Sequence, residues 1–418
     1  MLETDAMELI ASHQGRPSDD PIFGLNKEAT ARRQKGESIV NATIGVLLDD
    51  DGKLAIFPSA ARAVGEVSAT DWATYAPIAG TPDFLKAVLD DLLADAPELR
   101  AAGVAMATPG GSGALRLAIT NYLEPGQAML TTNWYWAPYH TLCDESDRRL
   151  DTFEMFTPSG GLDVASLDAA MGRTLATQGR ALVCINDPAH NPTGYSMTAD
   201  EWSAVVACIA EHAARRPVTL LVDCAYLLYA GAGDPRAFIS HLRPLLGKAG
   251  LLFAWSASKS FTQYGLRVGA LMACVADVKE RAMVESALSY SCRGTWSNCN
   301  RGGLVAVTRM LADPDVARAC AAERDTLRRL LLSRVHRFNT LARARGLSYP
   351  RYEGGFFVTV FTDRAREKAE AMRAQGVYVV PQLRTGPDVE GRPRGALRVA
   401  LCAVPEAEVP RLVEALAS

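Results

Sequence analysis

The 418-residue chain lacks any long apolar run: none reaches the roughly 18 residues needed to span a bilayer. It lacks an excess of either charge. Lys and Arg total 44 against 47 Asp and Glu, and the net charge of −3 leaves no basic footprint for nucleic acid. It lacks a cysteine framework too. Nine cysteines, an odd number, run from Cys143 to Cys402 without a C-x-x-C pair, which argues for reduced thiols in a cytoplasmic protein. The six histidines (His13, His140, His190, His212, His241, His336) show no metal spacing with those cysteines, so no metal is expected. The N-terminus, Met1-Leu2-Glu3-Thr4-Asp5, is acidic and leads into no signal-like apolar core. Repeats and low-complexity tracts are missing as well. What is present is ordinary globular composition: 48% hydrophobic and 22% charged residues exclude intrinsic disorder. The length suits two domains.

Short apolar runs rich in β-branched residues predict buried strands at Ala128–Thr132, Ala181–Ile185, Val218–Val222, Leu251–Trp255 and Val268–Met272. Stretches with helical spacing lie between several of them: Leu85–Leu93, Ala114–Tyr122 and Thr198–Ala213. This alternation predicts an α/β fold with a doubly wound, mostly parallel sheet. From Asp315 to Ala344 one long helix is expected, with Leu327, Leu330, Leu331, Val335 and Phe338 on its apolar stripe. The Arg-rich stretch from Arg324 to Arg345 is expected on its solvated face. Beyond Gly346 the pattern predicts a smaller α+β domain, with strands at Phe356–Val360 and near Tyr378 and Leu397. Residues 381–395, with three prolines and three glycines, predict an exposed loop. A helix-like segment and an arm, Arg16–Pro21, precede everything.

Five local patterns carry chemistry. Pro109-Gly110-Gly111-Ser112-Gly113 opens a helical run, and a glycine-lined helix N-terminus suits an anion. Alone, such a motif is more often a flexible turn. Asn186-Asp187-Pro188-Ala189-His190-Asn191-Pro192-Thr193-Gly194 follows a predicted strand, where ligands of open α/β sheets bind. His190 within it reads as a structural hydrogen-bonding residue. Asp223-Cys224-Ala225-Tyr226 ends the next strand: its carboxylate could meet a cation or ring N–H, although a helix cap is the commoner use. Ser256-Ala257-Ser258-Lys259-Ser260, with Arg267 eight residues on, puts a lysine where burial and a second cation lower its pKa. Arg398 lies in an apolar strand, where a cation requires a carboxylate partner.

In this order the patterns resemble the fold-type I pyridoxal-phosphate-dependent aminotransferases (class I/II), closest the aspartate and aromatic amino acid branch. Asp20-Pro21-Ile22-Phe23-Gly24-Leu25, Asn41–Val46, Tyr75–Gly80 and Arg293–Asn298 also look like that branch, so the resemblance runs almost the whole chain. It implies an N-terminal arm and part of the small domain at 1–54, a large pyridoxal-phosphate-binding domain at 55–320 and a C-terminal small domain at 321–418. It implies pyridoxal 5'-phosphate as cofactor, held by Lys259 as a Schiff base, with the released amine shuttling the substrate proton. Asp223 would keep the pyridine nitrogen protonated. Tyr226 and Asn191 would bond the ring oxygen, and Trp136 would stack on the ring. Gly111, Ser112, Ser256, Ser258 and Arg267 would cradle the phosphate, joined by Tyr75 from the neighbouring subunit of a homodimer.

For substrate, the resemblance assigns Arg398 to the α-carboxylate, with Gly45 and Asn191 beside it. Arg293, from the partner subunit, would bind a side-chain carboxylate, favouring aspartate, glutamate and their oxo acids. Departures from the family pattern point to aromatic donors as well: Trp134-Tyr135-Trp136 is unusually aromatic, Trp296 replaces a tyrosine, and Gln263 stands where an apolar residue is common. Tyr139, with His140 beside it, replaces the family's usual histidine. These changes are expected on the substrate side of the site. The alternative is elimination, substitution or carbon–carbon bond formation at the β or γ carbon, for example on S-adenosylmethionine in specialised metabolism.

Overall fold

The structure, a computed structural model, describes residues 9–10, 13–16, 21–386 and 393–418. Residues 17–20 of the expected arm, including Asp20 of its motif, and 387–392 of the expected loop lie outside the described residues.

Seven strands form the large sheet: β1 (Gly103–Thr108), β2 (Ala128–Thr132), β3 (Arg149–Phe153), β4 (Ala181–Asn186), β5 (Val218–Asp223), β6 (Gly250–Ser256) and β7 (Gly269–Cys274). They run in the order β1-β7-β6-β5-β4-β2-β3. Only β7 is antiparallel to its neighbours; the other pairs are parallel. The fold is therefore the expected doubly wound, mostly parallel α/β sheet. β4 to β7 are buried along nearly their whole length, as continuous apolar runs in a helix-covered sheet must be.

Two strands carried too weak a pattern to be expected. β1 consists mostly of small residues, and β3 is an edge strand that alternates polar with apolar. The expected helices form, and Thr198 caps its helix in a reciprocal box with Glu201. The long helix spans Pro314–Ala344.

The parallel strands share one direction, so the ends of β1, β2, β4, β5 and β6 all open on one edge. The five chemistry-bearing patterns fall there, except Arg398. Between β6 and β7 the chain has only residues 257–268, with one short helix, Ala257–Ser260, and it turns back antiparallel. That short connection keeps Lys259 and Arg267 at the edge.

The second, α+β unit has three antiparallel strands, β8 (Phe357–Phe361), β9 (Val380–Leu383) and β10 (Gly395–Ala400), with β10 in the middle. Residues 381–383 and 395 are thus strand rather than loop. A short parallel pair, Val40–Asn41 with Val377–Tyr378, ties the early chain to this unit. Ala55 packs in its apolar core and Phe57 in that of the large sheet. Along the long helix Cys320 belongs to the large core, Leu331 to the small one, and Leu327 touches both.

The Arg-rich face of that helix is not wholly solvated. Arg334 is fully buried, donating to Asp50 Oδ1 and to the Cys402 carbonyl, both at 2.8 Å. Arg324 lies between the rings of Phe57 and Phe261 and donates to the Ser260 carbonyl. Each is drawn in by acceptors that helical periodicity cannot reveal.

Candidate active site

A cavity of about 240 Å³ opens at the carboxyl edge of the large sheet. Gly111, Ser112, Trp136, Asn191, Asp223, Tyr226, Ser256, Ser258, Lys259 and Arg267 all line it. A larger groove of about 640 Å³, beside Trp134, Tyr349 and Phe361, contains none of these groups, so the smaller cavity is the chemical site.

On one wall the helix Gly110–Tyr122 begins. Gly110 has φ +72°, and a Cβ there would stand 2.4 Å from the Arg267 guanidinium. Only glycine lets that cation lie over the helix start. Arg267 Nη1 donates to Ser258 Oγ at 3.1 Å and to the Tyr264 carbonyl at 3.0 Å. Ser256 Oγ accepts the Ser258 amide N–H. Backbone donors, hydroxyls and a guanidinium thus face one spot, the donor set of an oxyanion cradle.

On the opposite wall, β4 and β5 are paired in register with Asn186 beside Asp223. Asn186 Nδ2 donates to the Asp223 carbonyl at 2.8 Å, and Asn186 Oδ1 accepts the Asn191 N–H at 2.7 Å. This fixes Asn191, whose Nδ2 donates to the Tyr226 hydroxyl at 3.2 Å. Asn191 Oδ1 is buried without a partner. Lys259 Nζ lies 5.3 Å from the Tyr226 ring centre. Burial pushes the lysine pKa down; Asp223 opposes that and Arg267 adds to it. The net shift is downward, toward the neutral amine.

Asp223 is buried, and desolvation pushes its pKa up against the hydrogen bonds that lower it. The Tyr139 hydroxyl, fully buried, donates to Asp223 Oδ2 at 2.6 Å. This corrects the expectation that Tyr139 rims the substrate side: it stands behind the carboxylate, and neighbouring His140 is exposed. Sequence reasoning also missed Asn186 as a positioning group and Tyr264, whose hydroxyl accepts the Leu47 N–H at 3.0 Å. Asn186 opens a motif already singled out, and Tyr264 lies between Lys259 and Arg267. His190 is buried between Thr193 Oγ1 and Thr132 Oγ1, at 2.8 and 3.3 Å, and burial pushes its pKa down to about 3.

The small unit supplies Arg398 from β10. Its guanidinium lies 4.7 Å from the Phe357 ring centre and donates to the Thr43 carbonyl. A Cβ on Gly45 would stand 2.4 Å from the same Phe357 ring. Four expected residues do not line the cavity of their own chain: Arg398, Gly45, Tyr75 and Arg293. Tyr75 is 84% exposed, and Arg293, also exposed, bonds Ser297 just beyond the end of its own helix. Trp296 is half-buried between two apolar clusters.

The donor set fits pyridoxal phosphate: a cradle for a dianion, a buried carboxylate for a ring N–H, an unpartnered amide oxygen and a desolvated lysine share one small space.

Residues 37–416 match the family model of aminotransferase class I and II, and the chain belongs to that family. Relatives include the aspartate aminotransferase of Pseudomonas aeruginosa, 26% identical over 90% of this chain and 94% of the relative. Another is the aromatic-amino-acid aminotransferase of Paracoccus denitrificans, 27% identical over 74% and 77%. A solved aminotransferase from Anaerococcus prevotii superposes with a TM-score of 0.89, at 31% identity over 98% of both chains. The aromatic-amino-acid aminotransferase of Burkholderia pseudomallei covalently bound to pyridoxal phosphate shares the fold, with a TM-score of 0.79 at 23% identity over 98% and 99%. The protein is an aminotransferase, and elimination or substitution chemistry is not favoured by these relatives. Among the described residues no helix is long and apolar enough to cross a membrane.

Proposed function

We propose that this aminotransferase moves amino groups between aspartate, glutamate or aromatic amino acids and 2-oxo acids, using pyridoxal 5'-phosphate held in the cavity beside Lys259. One observation carries the reading. A desolvated lysine and a buried carboxylate face one cavity from the ends of adjacent strands, with the Asn191–Tyr226 pair and the glycine-lined helix start on its other walls. Relatives named for aspartate and for aromatic amino acids support both donor classes.

When bound, the cofactor supplies the electron sink that lets a Cα–H bond break. The chain does the rest. Asp223, hydrogen-bonded by Tyr139, would face the ring nitrogen and keep a proton on it. Asn191 and Tyr226 bond the ring oxygen, and Trp136 covers the ring face. Gly111 N–H, Ser112, Ser256, Ser258 and Arg267 hold the phosphate. Lys259 Nζ, which faces the cavity, would take the proton from the substrate Cα and hold it for return. Arg398 grips the α-carboxylate through its guanidinium fork, bordered by Gly45 and Asn191.

Tyr75 and Arg293 act across a homodimer, Tyr75 at the neighbour's phosphate and Arg293 at a side-chain carboxylate. Their exposure supports this, as does the exposure of Trp72 and of Tyr290, which is on the same helix as Arg293; an aromatic surface of this kind suits a second copy. Nine free cysteines support a cytoplasmic location.

A donor panel with 2-oxoglutarate or oxaloacetate as acceptor tests the reading. Turnover is expected with dicarboxylic and aromatic donors, and the absence of any oxo-acid product across the panel would overturn it.

A further inference from the structure

Outside the catalytic cavity, two packed helices bring three metal-ligating side chains to one point. Cys208 and His212 lie one turn apart on the helix Ala199–Ala213, so both leave the same face. Asp168, on the helix Val164–Gln178, faces them. Its Oδ1 is 2.7 Å from His212 Nε2 and 3.9 Å from Cys208 Sγ, and the three donor atoms lie within 4.8 Å of one another. No other such group occurs among the described residues. Eight of the nine cysteines are buried, and Cys208 alone is not. The imidazole is only 14% exposed while the carboxylate is 60% exposed. Thiol and imidazole therefore sit in the seam, and Asp168 closes it from outside.

We propose that Asp168, Cys208 and His212 form a site for one zinc-like divalent cation, with water as the fourth ligand. Tetrahedral zinc takes sulfur at about 2.3 Å and nitrogen or oxygen at about 2.0–2.2 Å, so its ligand atoms stand about 3.3–3.8 Å apart. The present spacings bracket that range, and small side-chain rotations close the site. Sulfur and imidazole donors select zinc, or cobalt as its probe, over magnesium and calcium. The balance is simple. The cation binds sulfur, nitrogen and oxygen, the Cys208 thiol proton leaves to solvent, and nothing is oxidised or reduced. None of the three residues lines the catalytic cavity. The site is a clip between two helices, and the expectation of no metal spacing overlooked the four-residue step from Cys208 to His212.

The test titrates chelator-treated, cofactor-loaded protein with Co²⁺. One equivalent is expected to bind with the strong red absorption of tetrahedral cobalt, beyond the region where the cofactor absorbs, and Zn²⁺ should erase it. Cys208→Ser and His212→Gln should each lose the red bands while keeping cofactor content and amino transfer. The cobalt spectrum is independent of turnover, so failure here leaves the aminotransferase reading untouched. Only the pale spectrum of six-coordinate cobalt in the unsubstituted protein, or red bands that persist in both variants, would overturn the proposal.

Discussion

The inner wall of the cavity and its outer rim are built differently. Asp223, Asn191 and Tyr226 are buried, tied to Tyr139 and Asn186, and complete within one chain. Tyr75 and Arg293 are exposed, and neither lines the cavity of its own chain. The difference teaches where each kind of specificity resides. On the proposed reading, cofactor chemistry is fixed by one protomer's packing, and the choice of donor side chain is left to a second copy.

Substitutions on the two sides should separate accordingly. Lys259→Ala removes the proton carrier and should cost about 10⁴-fold in turnover while leaving cofactor bound through Asp223 and the phosphate cradle. Turnover at the unsubstituted rate in single-turnover assays would break the inner half of the comparison. Tyr139→Phe removes a hydrogen bond to a charged group, worth about 1.5–3 kcal/mol when buried. Cofactor should dissociate at least about tenfold more readily and its absorbance should change its pH dependence, with Tyr139→His restoring both. Arg293→Ala should raise KM for aspartate and glutamate much more than for aromatic donors; equal effects would demote it to a surface arginine.

The smallest effect concerns stability. His190 is neutral in the fold, its pKa depressed to about 3 from an unfolded value of about 6.5. Its contribution is complete above pH ~6.5 and is lost as pH falls toward 3, because the unfolded chain takes up the proton first. His190→Gln should flatten the acid-side fall in melting temperature of the cofactor-free protein, and an unchanged slope would assign that fall to other groups.

Much of the inner wall was legible because its chemistry dictates residue type. A lysine after a buried strand, an aspartate ending another and a glycine-lined helix start each have commoner structural uses, and it is their joint occurrence in this order that points to one site. Tyr139 was not legible: any buried donor at that position could hold Asp223, so its identity carries no signal. Arg324 and Arg334 looked solvated because periodicity shows a helix face but not the carbonyls and carboxylate that meet it. Strands β1 and β3 failed for composition, one too small in side chains and the other too polar at the sheet edge. At the rim, the residue types of Tyr75 and Arg293 were legible, but both are exposed and meet no part of the cavity in their own chain.

The most direct measurement is a half-reaction with cofactor-loaded protein, one amino donor and no acceptor. The account predicts one equivalent of 2-oxo acid per site from aspartate, glutamate or an aromatic donor, with the amino group retained on the cofactor and nothing formed by Lys259→Ala. Release of a side-chain fragment with the cofactor still an aldehyde, or no oxo acid from any donor, would contradict it.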